Sequence, residues 1–141
     1  MQSQAMAWTC SICSADWLVR ATGLDPYSDR IKMGYRIGYP DCVDEWSGLK
    51  DTTCLVTALE AYGVGAVQEW VDWRRAVEVA GETASILNGL GWYHFVGVRG
   101  QTNWGGIWLA NSAEGYAGVG DTLSEEQFDA LGPFQVVRLA R

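Results

Sequence analysis

The sequence predicts an α+β domain in which N-terminal helices pack on a C-terminal antiparallel sheet, and three observations carry that prediction. Apolar residues recur with a period of about 3.6 through the first half of the chain and of about 2 afterwards. Glycine-containing turns separate the alternating segments, as they do hairpin-linked strands. A single capping box interrupts the strand region, so helices come first and strands follow, the order of an α+β domain. The 141 residues are 48% hydrophobic and 19% charged, which suits one core and leaves little length for two; a single domain over 1–141 is expected.

Taken in order, the first helix is predicted over 10–21, with Ile12, Trp17, Leu18 and Ala21 on or near one face and Gly23 as its stop. Asp25-Pro26-Tyr27-Ser28 forms a turn. From Arg30 to Lys50 the chain carries Gly34, Gly38, Pro40 and Gly48 without a clear period, so a long irregular segment is expected, with at most short helical or extended pieces. Loops of that length are usually functional, and this one holds Tyr35, Tyr39 and Trp46. A second helix is expected from Asp51 or Thr52 to Ala61, stopped by Gly63, with Leu55, Ala58, Leu59 and Tyr62 at helical spacing. A short strand over 64–70 precedes Asp72, the N-cap of a helix through about Ala80 that Gly81 ends. Strands are then predicted over 84–87, 92–98, 106–110 and 134–139, and Ser124-Glu125-Glu126-Gln127 opens a short helix to about Ala130, before Gly132-Pro133.

Composition excludes several functions. Ten basic against seventeen acidic residues give a net charge of −7, a poor match to nucleic-acid phosphates. No apolar run approaches the roughly 18 to 20 residues that span a bilayer, and the first residues lack the basic and apolar regions of an export signal. No nucleic-acid or membrane partner is expected, and the location implied is cytoplasmic or on a host particle. No P-loop, dinucleotide or metal motif is present, so neither cofactor nor metal is expected. Eight tryptophans are too many for the core of so small a domain. Some are expected to line a groove or an interface, including one for self-association. Asp41, Asp44 and Glu45 form an acidic patch that either favours cationic substrates or only solubilises the loop.

The cysteines are Cys10, Cys13, Cys42 and Cys54. Without an export signal, free thiols are the default expectation for all four, packed as small apolar residues. Cys10 and Cys13 form a C-x-x-C pair, which suits a redox couple, half of a zinc site, or a nucleophile beside a bystander. A zinc site wants a second close pair, whereas Cys42 and Cys54 lie twelve apart. A thioredoxin-like site wants a preceding strand, for which nine residues leave little room.

The chain has one histidine, His94, which alternates with Val96 and Val98 on a predicted strand. Seventeen residues on, a second predicted strand ends in Asn111-Ser112. If the two strands pair through the turn at 100–106, ring and amide lie side by side. A thiol opening a helix is what such a pair would activate, because the first-turn N–H groups and the helix dipole favour thiolate, and Cys10 opens the first helix.

These residues resemble the papain-like cysteine peptidases. His94-Phe95-Val96-Gly97-Val98-Arg99-Gly100, then Ile107-Trp108-Leu109-Ala110-Asn111-Ser112-Ala113-Glu114-Gly115-Tyr116, are similar to that family's His-bearing strand and its hairpin partner ending in Asn-Ser. Gln4 stands six residues before Cys10, the family's spacing from oxyanion-hole glutamine to nucleophile, and Ser14-Ala15 match its first helix. Aligning Cys13 as the nucleophile would put Ala7 at the glutamine position, so the resemblance favours Cys10. It implies Cys10 as nucleophile, His94 as general base and then acid, Asn111 orienting the imidazole, and Gln4 with the Cys10 N–H holding the oxyanion. The short chain implies a trimmed fold, like the compact bacterial peptidases that process bacteriocin leaders. Ala113 stands where papain enzymes have a Trp shielding the Asn–His bond, which leaves Trp92, Trp104 or Trp108 for that task.

The resulting expectation is a thiol hydrolase acting on a peptide or isopeptide bond of a peptide or protein substrate, with Tyr39, Trp46, Trp92 and Trp104 contacting that substrate. The alternatives are a catalytically silent module of the same fold that binds or assembles through its tryptophans, and acyl transfer to an amine in place of water.

Overall fold

The structure, a computed structural model, describes residues 9–112 and 116–140. Helix α1 (Cys10–Ala21) ends where the Thr22 hydroxyl donates back to the Leu18 carbonyl at 2.7 Å and Gly23 adopts a left-handed φ of 73°. The segment expected to hold at most short helical or extended pieces begins with an eight-residue helix, α2 (Arg30–Ile37). Two local signals outweigh its internal glycine: the Asp29 carboxylate accepts from the Lys32 N–H at 2.8 Å, and Gly38 closes the helix with φ 113°. Gly34 serves packing, since a Cβ there would already stand 3.4 Å from Ile12 Cδ1 on α1.

A small hairpin follows, β1 (Val43–Asp44) and β2 (Gly48–Leu49), then α3 (Thr52–Glu60), capped by Asp51. Cys42 and Cys54, expected as free buried thiols, are joined by a disulfide that ties the base of the hairpin to the first turn of α3. Cys10 and Cys13 are free and buried.

Strand β3 (Ala66–Val71) leads through the Asp72 cap into α4 (Trp73–Glu82), then β4 (Ser85–Gly89), β5 (His94–Gln101) and β6 (Ile107–Ala110). A 3-10 turn at Tyr116–Gly118, a short β7 (Thr122–Leu123), α5 (Glu125–Leu131) and β8 (Phe134–Leu139) complete the described chain. The Ser124–Gln127 capping box is formed in both directions. All pairings in the six-stranded sheet are antiparallel, in the order β3-β8-β4-β5-β6-β7.

Alternation along the strands sorts the core into two halves. Ile86, Phe95, Val137 and Leu139 pack with α1, α2 and α3 on one face. Leu87, Val96, Val98 and Val136 pack with α4 and α5 on the other, together with Trp92 and Phe134. The architecture is therefore α+β with helices on both faces of the sheet, and α1 lies directly on β5. Among the described residues, no helix is long and apolar enough to cross a membrane.

Candidate active site

β5 starts at a tight turn. The N–H groups of Trp92 and Tyr93 both donate to the Gly89 carbonyl, at 3.1 and 2.9 Å. Tyr93 is held at φ 54°, a left-handed conformation that costs a side-chain-bearing residue about 1–2 kcal/mol. The strained residue immediately precedes His94 and sets the point at which the imidazole leaves the strand.

Pairing of β5 with β6, Gly97 opposite Ala110 and Val98 opposite Leu109, brings Asn111 level with the start of β5. His94 Nε2 lies 2.8 Å from Asn111 Oδ1. The Asn111 Nδ2 group donates to the carbonyl oxygens of Gly120 at 2.9 Å and Val119 at 3.4 Å. Those two carbonyls accept only, so they fix the amide orientation and turn Oδ1 toward the ring. An acceptor opposite Nε2 requires the proton on Nε2, which makes Nδ1 the basic nitrogen in the neutral ring. Trp92 is buried and meets the His94 ring edge to face at 4.9 Å. It stands beside the His94–Asn111 bond, whereas Trp104 and Trp108 lie at the other end of β5 and β6.

Cys10 is the first residue of α1. α1 covers one face of the sheet while His94 shares the opposite face with Val96 and Val98, and Cys10 lines one cleft with Phe95, the residue after His94. The Phe95 N–H stands close enough to the Cys10 sulfur to favour its thiolate form, as does the Ser11 N–H. The cleft has a volume of about 440 Å³. The hairpin residues Glu45, Trp46, Ser47 and Lys50 form part of its wall, and Leu90 and Tyr93 a further part. Cys13, 2% exposed, sits one turn further along α1 and does not line the cleft; its sulfur lies 4.0 Å from Thr9 Oγ1.

Electrostatics correct one expectation. The helix N-terminus was expected to favour thiolate at Cys10, but burial dominates and pushes its pKa up, while the N–H groups of Phe95 and Ser11 oppose that only in part. Burial also pushes His94 below the ordinary imidazole value, with the Asn111 bond acting in the opposite direction. Both shifts favour the uncharged forms, a thiol at Cys10 and a neutral imidazole at His94.

The His94 shift has a consequence for stability. Between its depressed folded value and the ordinary 6.5, the unfolded chain binds a proton that the folded one does not. Stability therefore falls as pH drops below 6.5 toward the folded value. Urea midpoints at about pH 7.5 and about pH 5.5 should differ more for the native protein than for His94→Gln. Equal differences would exclude the effect.

The other predicted site residues are distributed unevenly. Gln4 lies outside the described residues. Trp46, 95% exposed, stands on the cleft wall. Tyr39 packs edge to face on Tyr35 and donates from its hydroxyl to Glu45, so it stands behind a wall residue and not on the wall. Trp92 is only 1% exposed and packs on His94, which removes it from any substrate-contacting surface. Trp104 sits in the β5–β6 turn beyond Gln101, about 23 Å along the strand from His94 at the usual rise per residue, and contacts no part of the cleft. Sequence reasoning passed over Asn88 and Thr52 on the cleft, and Gln135, which accepts from Thr52 at 3.3 Å. The available signal was a buried amide near one end of each of two largely apolar strands, Asn88 in β4 and Gln135 in β8. Among the described residues, no group of His, Cys, Asp and Glu is placed to hold a metal ion.

The fold so assembled is that of the papain-like cysteine peptidase domains. A double-glycine motif protease from an AMS/PCAT transporter, solved in complex with the leader peptide, matches with a TM-score of 0.75. That match has 16% identity over 97% of this chain and 87% of that one. The peptidase domain of Streptococcus ComA, a bifunctional ABC transporter of a quorum-sensing pathway, matches with a TM-score of 0.74 and 14% identity, over 99% of this chain and 96% of that one. At these identities the shared property is the fold. No protein-family model matches the sequence, and no curated protein does.

Proposed function

We propose that the protein is a papain-like thiol peptidase acting on a peptide or isopeptide bond. The observation that carries this is the His94–Asn111 hydrogen bond of 2.8 Å at the start of β5, with Cys10 at the N-terminus of α1 lining the same cleft as Phe95, the residue after His94. Because both shifts favour the uncharged forms, the proton leaves Cys10 Sγ for His94 Nδ1 as the sulfur attacks the scissile carbonyl. Asn111 holds Nε2–H throughout and stabilises the imidazolium as it forms. The α1 N-terminus and the Cys10 N–H face the developing oxyanion, with Gln4 as second donor. His94 then protonates the leaving amine, and water, or an amine acceptor, resolves the thioester. The leader peptide held by one structural neighbour supports a peptide substrate.

Incubation with a panel of peptides containing Gly-Gly bonds is expected to yield fragments by mass spectrometry. A peptide aldehyde of a cleaved sequence is expected to add its mass to the Cys10 tryptic fragment. Intact peptides together with an unmodified Cys10 would remove the proposal. The alternative, a silent binding module, draws on the exposure of Trp46, but that ring borders the same cleft as Cys10.

A further inference from the structure

The cleft wall carries one carboxylate whose charge the described surroundings leave uncompensated. Of the described residues lining the cleft, Glu45 and Lys50 are the charged ones. Lys50 is committed elsewhere, since its Nζ lies 3.0 Å from Asp44 Oδ2. Asp44 in turn shapes the hairpin tip, its other oxygen accepting from the N–H groups of Trp46 at 2.9 Å and Ser47 at 2.7 Å. These bonds and the neighbouring Lys50 hold Asp44 below the usual carboxylate range, so the Asp44 carboxylate is the partner that occupies Lys50. Glu45 receives a hydrogen bond from Tyr39, a donor that orients the carboxylate and brings no positive charge to it. The next residue is Trp46, whose indole is almost fully exposed. The Cys42–Cys54 disulfide and the Lys50 N–H to Cys42 carbonyl bond, 2.8 Å, hold both ends of this hairpin.

We propose that Glu45 and Trp46 form a specificity subsite for a basic side chain, Arg or Lys, of the peptide that enters the Cys10 cleft. The carboxylate supplies the counter-charge and the indole face a cation–π surface, while the aliphatic stem of the basic residue covers the ring. Tyr39 is a positioning residue that aims Glu45. The net charge of −7 adds a general attraction for cationic peptides. The assignment rests on the peptide-binding reading of the cleft, and the test separates the two.

A Cys10→Ala protein, which cannot turn substrate over, is titrated with one peptide sequence carrying Arg, Gln or Glu in turn at each position flanking the bond. At one position Arg is expected to bind about tenfold tighter than Glu, the size of an exposed ion pair combined with a cation–π contact. Glu45→Lys should reverse that order, Glu45→Gln should level it, and Trp46→Ala should weaken Arg binding about fivefold. Raising ionic strength should erode the Arg preference. Binding without charge preference, or a preference unaltered in Glu45→Lys whose circular dichroism matches the parent, overturns the subsite and leaves the peptidase proposal intact. A charge preference in binding, with no cleavage by the unsubstituted protein, overturns the peptidase proposal and leaves the subsite standing. No binding of any peptide overturns both.

Discussion

Cys10→Ala is expected to reduce peptide turnover on the order of 10⁴-fold or more, whereas Cys13→Ala should leave turnover within a few-fold of the unsubstituted protein. The two thiols are one helical turn apart, both buried, both with pKa pushed up by burial, so composition and titration do not separate them. Geometry does. Only Cys10 lines the cleft, together with Phe95, the neighbour of His94. Cys13 points back to Thr9 and has Arg30 beside it, an arrangement that lowers the cost of burying its sulfur without giving it access to substrate. Cys10→Ser is the companion variant, since it keeps volume and tests nucleophilicity alone. Cleavage that survives in Cys10→Ala and vanishes in Cys13→Ala would transfer the nucleophile's role to Cys13. Native-state alkylation gives a second readout: Cys42 and Cys54 are bonded to each other and should not label, so the contest is between Cys10 and Cys13.

How much of this was legible in the sequence follows from the range of each interaction. The helices at Cys10, Thr52, Trp73 and Glu125 announce themselves through caps and stops a few residues away, and strand pairing around one hairpin suffices to set His94 beside Asn111. The bounds of α2 were not legible because three glycines and a proline break the period over Arg30 to Lys50, while the cap at Asp29 and the left-handed Gly38 that define the helix are single residues. The Cys42–Cys54 bond depends on where α2 and the small hairpin deliver Cys42 relative to α3, a tertiary fact that cysteine spacing does not contain. The raised Cys10 pKa has the same origin. Helix position is readable from sequence and favours thiolate; burial is not readable, and it wins. The tryptophans divide likewise. All eight look alike as letters, yet Trp92 is enclosed beside His94, Trp46 stands in solvent on the cleft, and Trp104 lies at the far end of the sheet.

The spacing between α1 and β5, and hence between Cys10 and His94, depends on a residue without a side chain. Trp17 of α1 lies flat against Gly97 of β5, and a Cβ at Gly97 would stand 2.6 Å from Trp17 Cζ3, closer than real carbon contacts allow. Gly97→Ala must therefore displace the Trp17 indole and is expected to loosen the packing of α1 on β5. Overpacking of this kind costs about 1–3 kcal/mol, and a displacement of about 1 Å at the reacting atoms costs about 10²-fold in rate. Gly97→Ala is expected to lose stability by that amount and kcat by up to about 10²-fold, with KM less affected because the Glu45–Trp46 wall lies on another element. Trp17→Ala alone loses packing, at most about 3 kcal/mol for this partly buried aromatic. In combination with Gly97→Ala the two changes should compensate in part, because the added methyl occupies space the ring has vacated. A double-mutant cycle on stability and on kcat reads that coupling. Strict additivity, or full activity in Gly97→Ala, would mean that the strand and helix hold Cys10 and His94 in place by contacts other than this one. Non-additivity in both quantities would identify the Trp17–Gly97 contact as the spacer that sets the distance across which the proton moves.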